Sequence, residues 1–201
     1  MESRGSMQYH FPDNPVQIPP HALMELEDEE PGRYIGMLKW DGWRKPMYLE
    51  NGHWELFAKH DVQKSPPPTE LLKELKSLNF PDGTAFDAEW MGMRAVEHLE
   101  GQHYFKLFDL LYYKGLWQGD LPFERRYANL KELFEHHAAK ANAPHVQLTA
   151  IQEGNLLQMF ELSKTIPITE GIVIKARDSK LKGNLNHCVD NGLWKKIKWR
   201  Q

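Results

Sequence analysis

Four segments of this 201-residue chain read as β-strands yet carry charge where a strand wants apolar side chains, and that conflict limits the folds open to it. "GTAFDAEWMG" sets Asp87 and Glu89 between Phe86, Ala88 and Trp90, and alternation puts both carboxylates on one face. "HYFKLFDLLYYKG" holds Asp109 in an aromatic and aliphatic run. "EGIVIK" opens on Glu170 and closes on Lys175, and "LWKKIKW" sets Lys196 and Lys198 on one face, either side of Ile197. One charged residue in a strand usually faces water. Four such strands point to a shared cleft, because a charge taken out of water is costly unless it is paired or used.

The surrounding elements follow from pattern and punctuation. "RYIGMLKW" reads as a strand, and "WRKPMYLE", Asn51-Gly52 and "HWELFAK" read as a hairpin, since Asn-Gly supplies the positive φ angles of a type I′ turn. Pro46 places the first hairpin strand at an edge or a bulge. Helices are expected in "HALMELEDEE", ended by Pro31-Gly32, and in "SPPPTELLKELKSLNF", with Thr69 as N-cap and Leu71, Leu72, Leu75 and Leu78 on one face. Two more are expected in "PFERRYANLKELFEHHAAK", whose apolar side takes Phe123, Tyr127, Leu130, Leu133 and Phe134, and in "EGNLLQMFELSKT". The sum is a mixed α and β fold, too irregularly interleaved for a repeated βαβ pattern. Residues 1–18, polar and proline-rich, read as an N-terminal arm in which "MESRGS" (1–6) is an expression remnant; 19–201 reads as one domain.

Composition narrows the setting. A hydrophobic share of 41% and a charged share of 26% are those of an ordinary globular protein. A formal net charge of −3 creates no global positive field, so any nucleic-acid contact has to come from a local patch. The charge is uneven: Glu25, Glu27, Asp28, Glu29 and Glu30 form an acidic cluster, whereas the stretch from Lys175 to Arg200 is basic. Cys188 is the sole cysteine, which excludes an internal disulfide and suggests a reducing, cytoplasmic setting. No apolar run approaches the roughly 20 residues that span a bilayer, so no membrane partner is expected.

"LKWDGWRK" crowds Lys39, Asp41, Arg44 and Lys45 among Trp40 and Trp43. Together with the charged strands it fits two chemistries. One is a phosphate site in which lysines neutralise oxygens, carboxylates hold Mg²⁺ and an aromatic ring stacks on a base. The other is a lysine nucleophile. Free lysine titrates at about 10.4, so making it neutral at pH 7 costs ~4.6 kcal/mol, which burial beside tryptophan and crowding by other cations can supply. A plainer reading is a structural ion pair of Lys39 with Asp41 or Glu89.

"KWDGWR" resembles the Lys-x-Asp-Gly-x-Arg signature of the covalent lysyl-nucleotidyltransferases, the ATP-dependent DNA ligases, RNA ligases and mRNA capping enzymes. Further motifs follow in the family's order up to Lys198: "FDAEW" around Glu89, "YFKLFDLLY" around Phe108 and Asp109, "EGIVIK" at Glu170 to Lys175, and "WKKIK" at Trp194 to Lys198. "EGIVIK" and "FDLLYYKG…PFERR" look like DNA ligases rather than capping enzymes. The resemblance implies an α+β, ATP-grasp-like ligase adenylation fold, with antiparallel sheets flanked by helices around an ATP cleft. Lys39 would attack the α-phosphate of ATP and carry AMP as a phosphoramidate. Arg44 would bind the ribose or the 5′-phosphate of a nick, Glu89 the sugar or a metal-bound water, and Phe108 would stack on adenine. Glu170, with Glu89, would place Mg²⁺ or Mn²⁺; Lys196 and Lys198 would neutralise the α-phosphate. Gly42 would permit the tight turn after the nucleophile. AMP would pass to a 5′-phosphate, and a 3′-hydroxyl would seal the break, in DNA rather than RNA, with the enzyme a monomer. An RNA ligase, an adenylyltransferase that needs a partner OB-fold domain, and a non-catalytic binding module are the alternatives.

The chain departs from the family at three places. Met37 stands where DNA ligases usually have the glutamate that reads adenine. Ala58-Lys59-His60 stands for their usual Ser-Arg, leaving Lys59 the nucleic-acid phosphate contact without a guanidinium fork. The usual OB-fold domain does not follow Lys198, which is read as an excised core, a natural single-domain enzyme, or one completed by a partner.

Overall fold

The computed structural model describes residues 7–59, 61–64, 66–92 and 103–200, with 61–64 as backbone alone. Residues 1–6 and His60 lie outside the described residues. Two sheets carry the fold. The first runs β1 (Asn14–Gln17), β13 (Asp190–Lys198), β12 (Thr169–Ala176), β2 (Tyr34–Trp40) and β11 (Ile151–Glu153). Its pairings are antiparallel except for β1, which lies parallel to β13. The second runs β10 (Val146–Leu148), β8 (Tyr104–Tyr113), β7 (Thr84–Met91), β4 (Met47–Glu50), β5 (His53–Ala58) and β6 (Asp61–Lys64). Two short strands join it, β3 (Trp43–Arg44) on β7 and β9 (Leu116–Trp117) on β8.

Each sheet buries one face under a pair of helices. Helices α1 (Ala22–Glu29) and α4 (Leu156–Ser163) cover the first, where Leu23, Met159 and Phe160 meet Ile172, Ile174 and Ile197. Strand alternation then turns Val173, Lys175, Lys196 and Lys198 to the opposite face, toward the other sheet. Helices α2 (Thr69–Ser77) and α3 (Phe123–Ala138) cover the second sheet, with Leu71, Leu75, Leu130 and Leu133 against Leu56, Phe86 and Phe105. A cleft opens between the two inner faces.

Three sequence expectations need correction. Thr69 is the first helical residue and makes no capping bond; Pro68, at φ −53° and ψ 145°, is the N-cap. The hairpin turn forms at Asn51 and Gly52, with φ 52° and 73°, but its first strand is interior. Strand β4 lies between β5 and β7, and Pro46, which has no N–H to give to the ladder, falls in the gap between β3 and β4. Residues 7–18 are not a detached arm. Phe11 and Asp13 are buried, β1 extends the first sheet, and the Asp13 carboxylate accepts from the Lys182 backbone N–H (3.0 Å) and the Asn191 side chain (2.7 Å).

A buried ion cluster joins the sheets. Asp109 on β8 is fully enclosed, and it receives Arg126 of α3 through Nε (2.8 Å) and a terminal nitrogen (3.1 Å). Lys175 of β12 donates to the same carboxylate at 2.9 Å. Arg126 also donates to the Leu121 and Ser179 carbonyls, at 2.6 and 2.9 Å, so the guanidinium is well satisfied. Burial alone would raise the Asp109 pKa, but Arg126 and Lys175 outweigh it and hold the carboxyl at about 2. Replacing Asp109 by Asn strands two buried cations and is expected to cost about 3–5 kcal/mol in urea unfolding. In the parent protein the Asp109 contribution is present above the ordinary carboxylate pKa and disappears as pH falls through about 2. The urea penalty of D109N, read at pH 7 and pH 2, should therefore shrink on acidification.

Candidate active site

The cleft encloses about 680 Å³ and is lined from both sheets. Its walls include the eight residues expected to bind nucleotide, metal or nucleic acid, Lys39, Arg44, Lys59, Glu89, Phe108, Glu170, Lys196 and Lys198, but not Asp41, Asp87 or Asp109, the other carboxylates singled out from the sequence. Lys39 sits one residue from the end of β2, opposite Gly171 of β12, which in turn lies opposite Lys198 of β13. Glu170 is the extra residue of a bulge at this point, where the β12 register against β2 shifts between Thr169 and Gly171. The bulge resets the alternation and brings Glu170 to the cleft face. There its two oxygens separate the cations: Oε1 accepts from Lys39, and Oε2 accepts from Lys198 at 2.8 Å. Desolvation acts to raise the Glu170 pKa, but Lys39 and Lys198 prevail and lower it.

The ion pair expected of Lys39 with Asp41 or Glu89 is thus made with Glu170 instead. Asp41 reaches toward Arg200 at 3.4 Å. Glu89, on β7 across the cleft, accepts from the Gly42 backbone N–H at 3.2 Å. Burial is the main influence on Glu89 and pushes its pKa up to about 7, against the pull of Lys39 and Arg44. Gly42 is required for close approach: a Cβ there would lie 2.6 Å from the Trp90 carbonyl oxygen and 2.8 Å from the Glu89 Cγ.

Arg44 is held more tightly than its motif suggests. Nε meets both Asp87 oxygens at 3.0 and 3.1 Å, a second nitrogen meets the same carboxylate, and a third donates to the Asp13 carbonyl at 2.7 Å. Burial alone would lower its pKa, but the Asp87 pairing raises it. The guanidinium lies 5.6 Å from the centre of the Phe108 ring. Lys59 and Lys196 both have lowered pKa values. Burial is the main cause for each, followed by Arg44 for Lys59 and by Lys39 and Lys198 for Lys196. Cations crowded in this way favour an anionic ligand, which relieves their mutual repulsion.

Two carboxylates face this space, Glu89 and Glu170, and among the described residues no three His, Cys, Asp or Glu side chains gather to hold a metal ion. That donor set suits a Mg²⁺-sized cation that keeps much of its water and shares a polyphosphate, since such an ion needs only one or two protein carboxylates.

Met37, Lys175 and Trp194, noted in the motifs, also line the cleft; Val173, which lines it too, and Arg126, which anchors the cluster behind Phe108, were not read from the sequence. Arg126 had a signal: it lies three residues after Phe123 and four before Leu130, on the apolar stripe of α3.

No family model matches the chain. Among curated proteins, the SPbeta prophage-derived DNA ligase-like protein LigB of Bacillus subtilis (strain 168) is 26% identical over 182 residues, covering 82% of this chain and 61% of that protein. Among solved structures, mycobacterial DNA ligase D complexed with ATP and MES matches 99% of this chain and 62% of its own, with a TM-score of 0.65 at 18% identity. The ATP-dependent DNA ligase from bacteriophage T7, in complex with ATP, matches 94% and 68%, with a TM-score of 0.59 at 16% identity. The chain thus spans about three-fifths of the length of the curated relative. These likenesses define the fold as a ligase nucleotidyltransferase domain. The resemblance to the ATP-dependent DNA ligase family, read from the motifs, is upheld in sequence and in fold. Among the described residues no helix is long and apolar enough to cross a membrane.

Two measurements check the geometry. Gly171 has φ +146°, and a Cβ there would overlap the Ile197 carbonyl oxygen. G171A is expected to lose about 1–3 kcal/mol from backbone strain alone, and more from forcing β12 and β13 apart, as a lowered urea midpoint. For Glu89, a folded-state pKa above the ordinary 4.5 means that stability is full below that value and is lost as pH rises through about 7. E89Q should therefore melt higher than the parent at pH 8, and the gap should close by pH 4.

Proposed function

We propose that the chain is the adenylyltransferase core of an ATP-dependent polynucleotide ligase that seals 5′-phosphate/3′-hydroxyl nicks, in DNA rather than RNA. The observation that carries this reading is the row Lys39, Glu170 and Lys198 across three adjacent strands, facing Arg44, Glu89 and Phe108 in one cleft. A lone structural ion pair needs none of the other groups.

In the proposed reaction the Lys39 Nζ attacks the α-phosphorus of ATP, a P–N bond forms, the bond to the bridging oxygen breaks and pyrophosphate leaves. Lys39 attacks as the free amine, so a proton leaves its nitrogen. Glu170, hydrogen-bonded to it, orients the nitrogen; with its own pKa lowered by Lys39 and Lys198 it does not retain the proton, which passes to solvent. Lys196 and Lys198 balance the charge that grows on the α-phosphate. Phe108 offers a face to the base, and Glu89 faces the sugar. Arg44, fixed by Asp87 and Asp13, contributes a rigid positive charge at the ribose or at the 5′-phosphate of the nick, with Lys59 beside it. A divalent cation, when bound, would be held by Glu170 and Glu89 with the substrate phosphates and would neutralise phosphate charge. In the later steps AMP passes to the 5′-phosphate of the nick, and the 3′-hydroxyl displaces it as the strand closes.

Incubation with α-labelled ATP and Mg²⁺ should leave label on the protein, with an added AMP by mass, and K39A should abolish it. E170A and K198A should fold normally and label at least about 10²-fold more slowly, by analogy with loss of one transition-state donor. Near-normal labelling in both would displace the site from this cleft. Nicked duplexes with DNA or RNA on either side of the break then decide the substrate.

A further inference from the structure

The segment from Tyr9 to Asp13 is bonded to both basic groups expected to meet nucleic acid. The Asp13 carbonyl accepts from Arg44 at 2.7 Å, and the Tyr9 hydroxyl donates to the Ala58 carbonyl, next to Lys59, at 3.0 Å. The segment is itself fastened to the loop between β12 and β13. Phe11 donates its backbone N–H to the Asn184 carbonyl at 2.8 Å, and the His10 ring lies 2.9 Å from the Gly183 carbonyl. The buried Asp13 carboxylate accepts from the Lys182 N–H in this loop and from the Asn191 side chain at the start of β13. The same loop also reaches Lys59, where the Cys188 thiol donates to the Lys59 carbonyl at 2.8 Å.

Lys39 and Lys198 are held in another way, by Glu170 and by the pairing of β2, β12 and β13. The groups that load AMP and the groups that meet a nick thus have separate supports. A guanidinium carries five N–H groups. Among the described residues, Asp87 and the Asp13 carbonyl take three of those on Arg44, which leaves one on each terminal nitrogen. Such a pair suits two oxygens of one phosphate, and its aim depends on where the Asp13 carbonyl stands. The Asp13 carboxylate fixes that carbonyl through Lys182 and Asn191.

We infer that Asp13 and Tyr9 are positioning residues for the transfer of AMP to the 5′-phosphate of a nick, and not for the loading of Lys39. The inference rests on the ligase reading given above. In that transfer a 5′-phosphate oxygen attacks the AMP phosphorus and the P–N bond breaks. Its electron pair returns to the Lys39 Nζ, which takes up a proton from solvent. Arg44 and Lys59 hold the attacking phosphate in line, and a shift of about 1 Å in such groups can slow a step by about 10²-fold.

The test times the two steps apart. Protein loaded with α-labelled AMP and freed of ATP is mixed with a nicked DNA duplex, and label reaching the 5′-phosphate is followed in a single turnover. D13A should load within about 2-fold of the parent and transfer about 10–10²-fold more slowly. D13N, whose amide oxygen still accepts from Lys182 and Asn191, should recover most of the lost rate. For D13A the slope of log affinity for the nicked duplex against log salt should be shallower by about 0.9, the share of one phosphate contact, which a loss of stability alone does not change. Y9F keeps its ring and should transfer about 2–10-fold more slowly with normal loading, as expected for one lost hydrogen bond. Transfer at the parent rate in folded D13A overturns the inference, and if D13A does not fold the same result in Y9F overturns it. Loading and transfer that fall in equal measure also overturn it and leave the proposed function standing. A parent chain that loads but passes no label to the duplex overturns the inference and leaves an adenylyltransferase. A parent chain that takes no label defeats both readings.

Discussion

The cluster of Asp109, Arg126 and Lys175 is the constraint on which the rest of the molecule depends. Asp109 comes from one sheet, Lys175 from the other, and Arg126 from a helix that also reaches the loop at Ser179. Two sheets joined mainly by dispersion could slide past one another. Joined through a fully buried carboxylate with directional donors, they have one register, because any displacement leaves a charge unpaired in a medium that cannot solvate it. Phe108 precedes Asp109 and inherits its position. The Arg44, Asp87 and Asp13 group makes a second junction, tying β3 and β7 to the N-terminal segment. The cleft is therefore bounded by polar bonds as well as by hydrophobic cores.

Much of this was legible in the sequence because the conflict between charge and strand propensity is local. Asp87, Asp109, Glu170 and the paired lysines stood out against their apolar neighbours; Glu170, Lys196 and Lys198 line the expected cleft, whereas Asp87 and Asp109 are buried outside its lining, paired with Arg44 and with Arg126 and Lys175. The long elements followed from period: Leu71, Leu75, Leu130 and Leu133 face their cores as the helical spacing requires, and Asn51-Gly52 turns the hairpin. What stayed hidden depends on long-range pairing. The parallel docking of β1 on β13 brings together residues at opposite ends of the chain, and nothing local to Asn14–Gln17 announces it. Short strands such as β9 and β11 are too brief to show alternation.

The partner of Lys39 was hidden for a related reason. The sequence offered Asp41 or Glu89, but the contact is made by Glu170, 131 positions away, through a register shift. A bulge leaves little trace in composition. Here its trace is a glycine, Gly171, whose backbone angle and lack of a side chain are read only when the neighbouring strand is in place. The departures from the family motifs mattered in the same way: Met37 is a substitution in a list until the structure shows Val173, Phe108 and Trp194 in the same cleft.

The extra residue at position 170 has a further consequence. The stretch between Ile166 and Gly171 is subject to a requirement on its length that is separate from any requirement on its composition. Removing one residue there would restore even alternation and send the carboxylate toward α4 and its oily neighbours, away from both lysines. Polar exchanges on the outer surface of this stretch can accumulate while the number of residues stays fixed, so across related chains a gap should be rarer here than a substitution.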